Sequence, residues 1–173
     1  SEFKPMLADL AVAMLLAQGR CLRDGVAWVR NGTWATGQDL PLNRKISGGR
    51  AGILGLGRIG REIAGRLAAF KMDLHYYSRA PKDTPEGWTY HATPTELAHA
   101  VDYLIVATVG GPATEGIVSA EVIQALGPEG ILVNISRGST VDENALLDAL
   151  EAGALGGAAL DVFWNEPQIN ARF

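Results

Sequence analysis

Three closely spaced glycines form the first candidate binding motif of the sequence. Gly55, Gly57 and Gly60 form the pattern G-x-G-x-x-G between an apolar segment and an amphipathic one. In that setting Gly55 permits a tight turn, Gly57 lets the backbone approach a pyrophosphate, and Gly60 lets a helix press against a strand. Free N–H groups near Arg58 and Ile59 would face the diphosphate. The pattern predicts a dinucleotide site, with a glycine-rich turn that binds no ligand as the alternative.

The residues after the next predicted strand bear on which dinucleotide is bound. NAD sites place an acidic residue about 20 residues beyond the glycines, at the carboxyl end of the second strand, where it holds the ribose 2′-OH. Here Ser78 takes that position, Arg79 follows, Lys82 is near, and Asp73 lies at the other end of the strand. A guanidinium binds a 2′-phosphate bidentately, so NADP is expected. Two alternatives stay open: Arg79 stacks on the adenine of plain NAD, or Arg79 and Lys82 are solvated loop charges.

Polar residues also follow the later predicted strands, in three segments: 108–112, 134–138 and 161–167. Ligands of open α/β sheets bind outside the carboxyl ends of the strands, so Arg137, Asp161 and Glu166 are expected near the cofactor. Arg137 could clamp a substrate carboxylate. A carboxylate beside such a site could orient a histidine and raise its pKa. The alternative is that Arg137 and Asp161 form a structural salt bridge.

The elements that must position these residues alternate regularly. Apolar segments predict five strands, at residues 50–54, 73–77, 103–107, 131–135 and 157–162. Between them we expect a helix at 58–70, a loop at 78–92, a helix opened by a capping box from Thr93 to Glu96, a helix at 119–126, and one opened by a second capping box from Thr140 to Glu143. Such alternation implies right-handed βαβ units. The predicted fold is α/β, a Rossmann-type doubly wound parallel sheet with helices on both faces.

A helical lead-in precedes this alternation. Residues 7–19 are apolar nearly all round, which is typical of a helix buried on several sides. Residues 20–30 predict a second short helix, and residues 33–47 a connecting loop. We therefore expect residues 1–47 to form a lead-in that serves as a dimerisation arm, and residues 48–173 to form the dinucleotide-binding domain. An apolar run of eight residues with little polar relief would otherwise expose a sticky patch, so a homodimer that rests on the helices at residues 7–30 is expected.

Composition and charge exclude several function classes. The chain has 173 residues, 47% apolar and 20% charged, which suits one domain with a core and is unlike a disordered chain. Its net charge of −4, without a Lys/Arg block, argues against nucleic acid or an anionic membrane as partner. The longest purely apolar run, residues 10–17, is too short to span a bilayer. The single cysteine and three histidines lack metal-ligand spacing, and no signal peptide opens the sequence, so a cytoplasmic protein without metal is expected.

Three motifs in order resemble one enzyme family. They are Gly55-Leu56-Gly57-Arg58-Ile59-Gly60, then Asn134-Ile135-Ser136-Arg137-Gly138 followed by Val141-Asp142, and last Leu160-Asp161-Val162-Phe163 with Glu166-Pro167. Together they resemble the D-isomer-specific 2-hydroxyacid dehydrogenases, over about residues 7–167. Two further stretches resemble the NADPH-preferring glyoxylate/hydroxypyruvate reductase branch: Tyr77-Ser78-Arg79 and Ala125-Leu126-Gly127-Pro128.

The resemblance implies a role for each matching residue. Arg137 would hold the carboxylate and carbonyl of a 2-oxo acid, Glu166 would keep a catalytic histidine protonated, and Asp161 would orient the nicotinamide carboxamide. The cofactor wall would include Thr108, Val109, Thr114, Ile135 and Ser136. Hydride would pass from the nicotinamide to the 2-carbon while the histidine protonates the oxygen. The expected function is reduction of a glyoxylate, hydroxypyruvate or 2-ketogluconate type of substrate to its D-2-hydroxy acid. The expected cofactor is NADP, with NAD as the alternative.

Two features depart from the family pattern. Val109 stands where many members have proline, and the Pro-His segment that carries the family's proton donor has no counterpart here. Most of the family's substrate domain is missing too, so the chain is expected to be the nucleotide-binding part of a longer enzyme and inactive by itself. The alternatives are a dinucleotide-sensing, corepressor-like module and an isolated dimerisation domain. A pure sensor would need neither Arg137 nor Glu166.

Overall fold

Six parallel strands form one sheet at the centre of the chain, in a computed structural model that describes residues 3–173. The strands are β1 (Arg50–Leu54), β2 (Asp73–Tyr77), β3 (Thr89–His91), β4 (Tyr103–Val106), β5 (Ile131–Asn134) and β6 (Gly157–Leu160). Their spatial order is β3-β2-β1-β4-β5-β6, the doubly wound order of dinucleotide-binding sheets. The predicted α/β fold is confirmed. Strand order reverses between β1 and β4, so a crevice opens at their carboxyl ends.

Helices cover both faces of this sheet. They are α1 (Phe3–Gly19), α2 (Leu22–Arg30), α3 (Arg58–Ala69), α4 (Pro94–Ala100), α5 (Ala120–Leu126) and α6 (Glu143–Glu151), with short 3-10 turns at Trp34–Thr36, Pro112–Thr114 and Gly138–Thr140. α1 and α3 cover one face and α4, α5 and α6 the other. Successive strand residues point to opposite faces, so Ile53 joins the first core and Leu54 the second. Central strands must therefore be mainly apolar, as β1, β4 and β5 are here apart from Arg50 and Asn134 at their ends.

The loop prediction for residues 78–92 is wrong at its end. Thr89–His91 forms β3, which pairs in parallel with β2 through His75 and Thr89, Tyr76 and Tyr90, and Tyr77 and His91. An edge strand of three residues buries little surface and needs no run of apolar side chains. Its sequence is therefore indistinguishable from a polar loop, and only the pairing with β2 defines it.

One of the two predicted capping boxes is confirmed. Thr93 Oγ1 accepts from the backbone N–H of Glu96 at 3.1 Å, and Glu96 Oε2 accepts from the N–H of Thr93 at 3.3 Å. The second is wrong, because α6 is capped by Asp142, whose Oδ1 accepts from the N–H of Ala145 at 3.0 Å. Thr140 is buried in the preceding 3-10 turn, where its hydroxyl donates to the backbone oxygen of Arg137 at the start of that turn.

The first helix is part of the core. Ala8, Ala11 and Leu15 are fully buried where α1 packs against α3, β5 and β6. Within residues 7–19, full burial is confined to this face of the helix, since Asp9 and Ala13 on the other side are exposed. The apolar lead-in is thus one of the layers that cover the sheet.

The second helix and the loop after it lie at the surface. No residue of α2 is buried, and Leu22, Val26 and Val29 are exposed together with Trp34 and Leu42. The indole N–H of Trp28 donates to the backbone oxygen of Gln38 at 2.8 Å, which folds the loop back onto α2. Among residues 3–173, no single helix has the length and apolar character to cross a membrane, although α1 and α2 together, bent by 55°, meet that test by length and composition.

Candidate functional site

A cleft of about 470 Å³ opens at the carboxyl ends of β1, β2 and β4. This is where strand order reverses, and the volume lies in the range of small-molecule and cofactor sites. Seven of the predicted cofactor residues line it: Gly55, Gly57, Ser78, Arg79, Thr108, Val109 and Thr114. The structure therefore brings together the glycine loop after β1, the cations after β2 and the loop after β4.

The three glycines of the loop differ in what requires them. Gly55 has a φ of +104°, and a Cβ there would lie 2.8 Å from the backbone nitrogen of Thr108. A Cβ at Gly60 would collide with the backbone oxygen of Gly55. At Gly57 the φ is −84° and a Cβ would meet no atom within 4 Å. Neither packing nor backbone conformation requires glycine at position 57, so the open space beside it fits an approaching ligand.

The helix that follows can receive an anion. Gly57 is the N-cap of α3 and has no side chain with which to satisfy the first N–H groups. Arg58, Ile59 and Gly60 form the first turn, and Arg61 is the first to donate to the N-cap, through its N–H to the oxygen of Gly57 at 3.0 Å. Free N–H groups and the positive end of the helix dipole suit a diphosphate.

The contrast between Gly57 and Gly60 makes a testable pair. We expect Gly57→Ala to weaken dinucleotide binding at least about tenfold while the free energy of unfolding stays within about 0.5 kcal/mol, because the new methyl group enters the ligand space. Gly60→Ala, the matched control, is expected to lose about 1–3 kcal/mol of stability through overpacking. Fluorescence titration and urea unfolding measure both. Equal loss of stability in the two variants would contradict the assignment.

The segment after β2 is positively charged. Ser78 is buried and its hydroxyl donates to the backbone oxygen of Ala80 at 2.6 Å, whereas Arg79 and Lys82 are exposed and line the cleft. Within residues 3–173 neither cation takes part in an ion pair, and no Asp or Glu lines the cleft. Asp73 lies at the amino end of β2, opposite Arg50, as predicted. A cationic cleft without a carboxylate suits a 2′-phosphate.

The loop after β4 forms the opposite wall. Val109 is 85% exposed, and its backbone oxygen accepts from the Thr114 hydroxyl at 2.7 Å, which closes the loop. Ser136 is buried behind this wall, where its hydroxyl donates to the backbone oxygen of Thr108 at 2.6 Å. Ile135 is buried as well. These two predicted cofactor residues therefore support the wall from behind and do not line the cleft.

A buried amide holds the turn that presents Arg137. Asn134 is 1% exposed, and its Nδ2 donates to the backbone oxygen of Arg137 at 3.0 Å and to Thr140 Oγ1 at 3.3 Å. Its Oδ1 accepts from the N–H of Ser136 at 3.0 Å. The Thr140 hydroxyl donates to the same Arg137 oxygen at 2.6 Å. Both polar atoms of the Asn134 side chain are thus used to shape this turn.

The Arg137 side chain itself is exposed and lies against the β4 loop. A Cβ on Gly110 would come within 2.5 Å of its Cγ, so glycine there makes room for the arginine stem. Its Nη1 donates to the backbone oxygen of Ser136 at 2.8 Å. Among the ion pairs of residues 3–173 there is none between Arg137 and Asp161, so the salt-bridge alternative has no support in this structure.

The loop after β6 brings two carboxylates to the same edge. Asp161 is exposed, and its N–H donates to the backbone oxygen of Asn134 at 3.0 Å. Glu166 Oε1 accepts from the N–H of Phe163 at 2.7 Å. Because a Cβ on Gly138 would collide with the backbone of Phe163, glycine lets this loop pass directly against the Arg137 turn. Arg137 and the loop that carries Glu166 are therefore neighbours.

No histidine among the described residues lines the cleft. His75 lies on β2 and His91 on the neighbouring edge strand β3, where His75 Nδ1 and His91 Nε2 are 2.9 Å apart and His75 Nε2 is 3.1 Å from Asp73 Oδ2. Burial and, next, the neighbouring His75 lower the pKa of His91, so it is neutral at pH 7. His99 lies on the exposed side of α4. None of the three is placed to act as a proton donor at this edge.

Sequence reasoning missed the residues that shape the site from behind. Asn134 and Thr140 hold the Arg137 turn, and Gly110 accommodates the arginine stem. One signal was available, since an asparagine directly after a run of buried strand residues needs buried partners. No comparable signal exists for Gly110.

The comparisons with known proteins agree with this geometry. Residues 12–173 match the family model described as "D-isomer specific 2-hydroxyacid dehydrogenase, NAD binding domain". The chain is 47% identical over 163 residues to hydroxyphenylpyruvate reductase of Plectranthus scutellarioides (94% of this chain, 51% of the relative). It is 43% identical over 169 residues to 2-ketogluconate reductase of Gluconobacter oxydans (96% and 53%).

Solved structures give the same result. The 2-hydroxyacid dehydrogenase of Ketogulonicigenium vulgare superposes with a TM-score of 0.92 at 50% identity, over 98% of this chain and 53% of that one. The NADPH-dependent glyoxylate/hydroxypyruvate reductase of Sinorhizobium meliloti, in complex with NADP and malonate, gives 0.90 at 44%, with the same coverage. The chain spans about half the length of these relatives. By sequence and by fold, it belongs to the D-isomer specific 2-hydroxyacid dehydrogenase family, through that family's NAD binding domain.

Proposed function

We propose that this chain is the NADPH-binding domain of an enzyme that reduces a small 2-oxo acid to its D-2-hydroxy acid. One observation carries the cofactor assignment: the cleft presents Arg79 and Lys82 and no carboxylate at the position where NAD sites hold the ribose 2′-OH. The reductases of glyoxylate, hydroxypyruvate, hydroxyphenylpyruvate and 2-ketogluconate among the relatives support a substrate of this class.

The cofactor supplies the hydride, and the protein supplies binding, orientation and charge. The glycine loop and the first turn of α3, with Arg58 and Ile59, would receive the diphosphate. Arg79 and Lys82 would bind the 2′-phosphate. The wall at Thr108, Val109 and Thr114, supported by Ile135 and Ser136, would confine the nicotinamide half, and Asp161 would orient its carboxamide.

Arg137 and Glu166 would act on the substrate side. Arg137 offers a guanidinium fork beside the cofactor wall, which suits the carboxylate and carbonyl oxygens of a 2-oxo acid. Glu166 keeps one oxygen on the N–H of Phe163 and leaves Oε2 for a histidine supplied by another part of the enzyme. A carboxylate so placed raises the pKa of that histidine and keeps it ready to protonate the carbonyl oxygen.

The sensing alternative has less support. A module that only senses a dinucleotide would not need an arginine presented by a buried asparagine, nor a carboxylate loop packed against that turn. Here Asn134, Thr140 and Gly138 all serve this arrangement. This arrangement of supporting residues favours an enzyme over a sensing module.

We also propose a homodimer that uses the surface of α2 and the following loop. Its exposed apolar residues are Leu22, Val26, Val29, Trp34 and Leu42. Residues 1–47 would thus contain both a core helix and a dimerisation arm, and residues 48–173 the dinucleotide-binding domain. Sedimentation of the wild type and of Val29→Glu checks this proposal, with a dimer expected for the wild type and a monomer for the variant. A wild type that stays monomeric at all micromolar concentrations would contradict it. The cytoplasmic location and the absence of nucleic-acid, membrane and metal partners stay predictions.

The cofactor assignment is tested by Arg79→Ala. We expect its affinity for NADPH to fall about ten- to a hundredfold and its affinity for NADH to change less than about twofold, because only the 2′-phosphate contact is lost. Arg23→Ala removes the same charge from exposed α2 and is the control. Equal weakening of both cofactors, or tighter NADH binding by the wild type, would show that the assignment is wrong.

A further inference from the structure

The segment 78–83 carries both cations of the cleft, and it belongs to no helix or strand. Hydrogen bonds from outside the cleft hold it. Tyr76, on β2, is 3% exposed. Its hydroxyl accepts from the N–H of Lys82 at 3.0 Å and donates to the backbone oxygen of Lys82 at 3.3 Å. One buried hydroxyl therefore binds both backbone polar groups of the residue that carries the second cation.

A second tether comes from the helix behind the glycine loop. Arg61 on α3 donates from Nη2 to the backbone oxygen of Asp83 at 2.8 Å. At the other end of the segment, the Ser78 hydroxyl donates to the oxygen of Ala80 at 2.6 Å. The segment is thus tied to the rest of the protein at residues 82 and 83 and braced from within by the bond to Ala80. The Arg61 bond links it to the helix whose first turn faces the proposed diphosphate.

We infer that Tyr76 is a positioning residue for cofactor choice: its hydroxyl holds the backbone at Lys82 so that Lys82 and Arg79 face a 2′-phosphate together. The inference rests on the proposed function. Phenylalanine would fill the same core position, and the ring packs against Tyr90 with centroids 5.6 Å apart. The hydroxyl is what adds the tether. Flexible cations lose freedom when they bind a phosphate, and a backbone held in place beforehand reduces that cost.

The direct test is Tyr76→Phe in the 173-residue chain, titrated with NADPH and with NADH. We expect the affinity for NADPH to fall about three- to tenfold, the size of one or two hydrogen bonds, while the affinity for NADH stays unchanged. Tyr90→Phe is the matched control, because within residues 3–173 the Tyr90 hydroxyl makes no hydrogen bond to protein. A merely structural role of Tyr76 would weaken both cofactors alike.

Arg61→Gln removes the other tether at an exposed position. It provides the test if Tyr76→Phe does not fold. It is compared with the wild type at about 0.5 M salt, where the field of the lost charge is largely screened. A reduced preference for NADPH is again expected. The inference is overturned if the wild type prefers NADPH, Arg79→Ala abolishes that preference, and the tether variants keep it. A wild type without the preference overturns the proposed cofactor, and the inference with it.

Discussion

Replacement of Arg137 by alanine is expected to abolish turnover of glyoxylate and hydroxypyruvate in an enzyme that joins this domain to a substrate domain. Arg137 is exposed, its stem lies against Gly110, and the turn that presents it packs against the loop that carries Glu166. Loss of the bidentate clamp removes both the charge on the substrate carboxylate and its orientation. We expect kcat/KM to fall by about 10³ or more, from the loss of positioning and of electrostatic stabilisation.

The affinity of this variant for NADPH separates substrate from cofactor effects. Since Arg137 does not line the cleft, that affinity should stay within about twofold of the wild type. Arg137→Lys keeps the charge but loses the fork, and an intermediate rate is expected. Steady-state oxidation of NADPH with each 2-oxo acid measures turnover. An Arg137→Ala enzyme with full activity, or one that has lost its cofactor, would remove the substrate role from this residue.

The 173-residue chain by itself is expected to bind NADPH and to reduce 2-oxo acids at a small fraction of the rate of the joined enzyme. Within residues 3–173 no histidine lies at the cleft, and burial and the neighbouring His75 lower the pKa of His91, so the proton-carrying form of His91 is disfavoured at neutral pH. General acid catalysis is worth about 10²–10⁴-fold, and the lost positioning of the substrate adds a further factor.

This second prediction is checked by paired measurements on one preparation. Fluorescence titration establishes that the chain binds NADPH, and absorbance at the NADPH band follows glyoxylate reduction. Turnover of about 1 s⁻¹ or faster, which is the ordinary range for enzymes, would show that the proton donor lies within these residues. His75→Gln, His91→Gln and His99→Gln would then be compared to identify it.

Much of the fold could be predicted from local patterns. The apolar patterns of the five longer strands and of the helix after the glycines indicate a parallel sheet with helices on both faces. Parallel strands are apolar on both sides because both faces of their sheet are covered. The capping box at Thr93 is a contact between residues three apart, so the local sequence contains all of it. At Thr140 the same pattern fails, because the Thr140 hydroxyl donates to the backbone oxygen of Arg137 in a buried turn and does not cap the helix.

At the site, the glycine loop, the cations after β2, and the residue types of Arg137 and Glu166 at the ends of strands could be predicted from the sequence. The contacts that support them could not: Asn134 holds the Arg137 turn, Gly110 makes room for its stem, and Tyr76 and Arg61 tie the cationic segment. The same is true of β3, which its pairing with β2 defines. The difference lies in the sequence separation of the contacts. A helix cap or an apolar period involves only neighbouring residues, whereas these contacts join residues that approach one another only when the whole sheet is assembled.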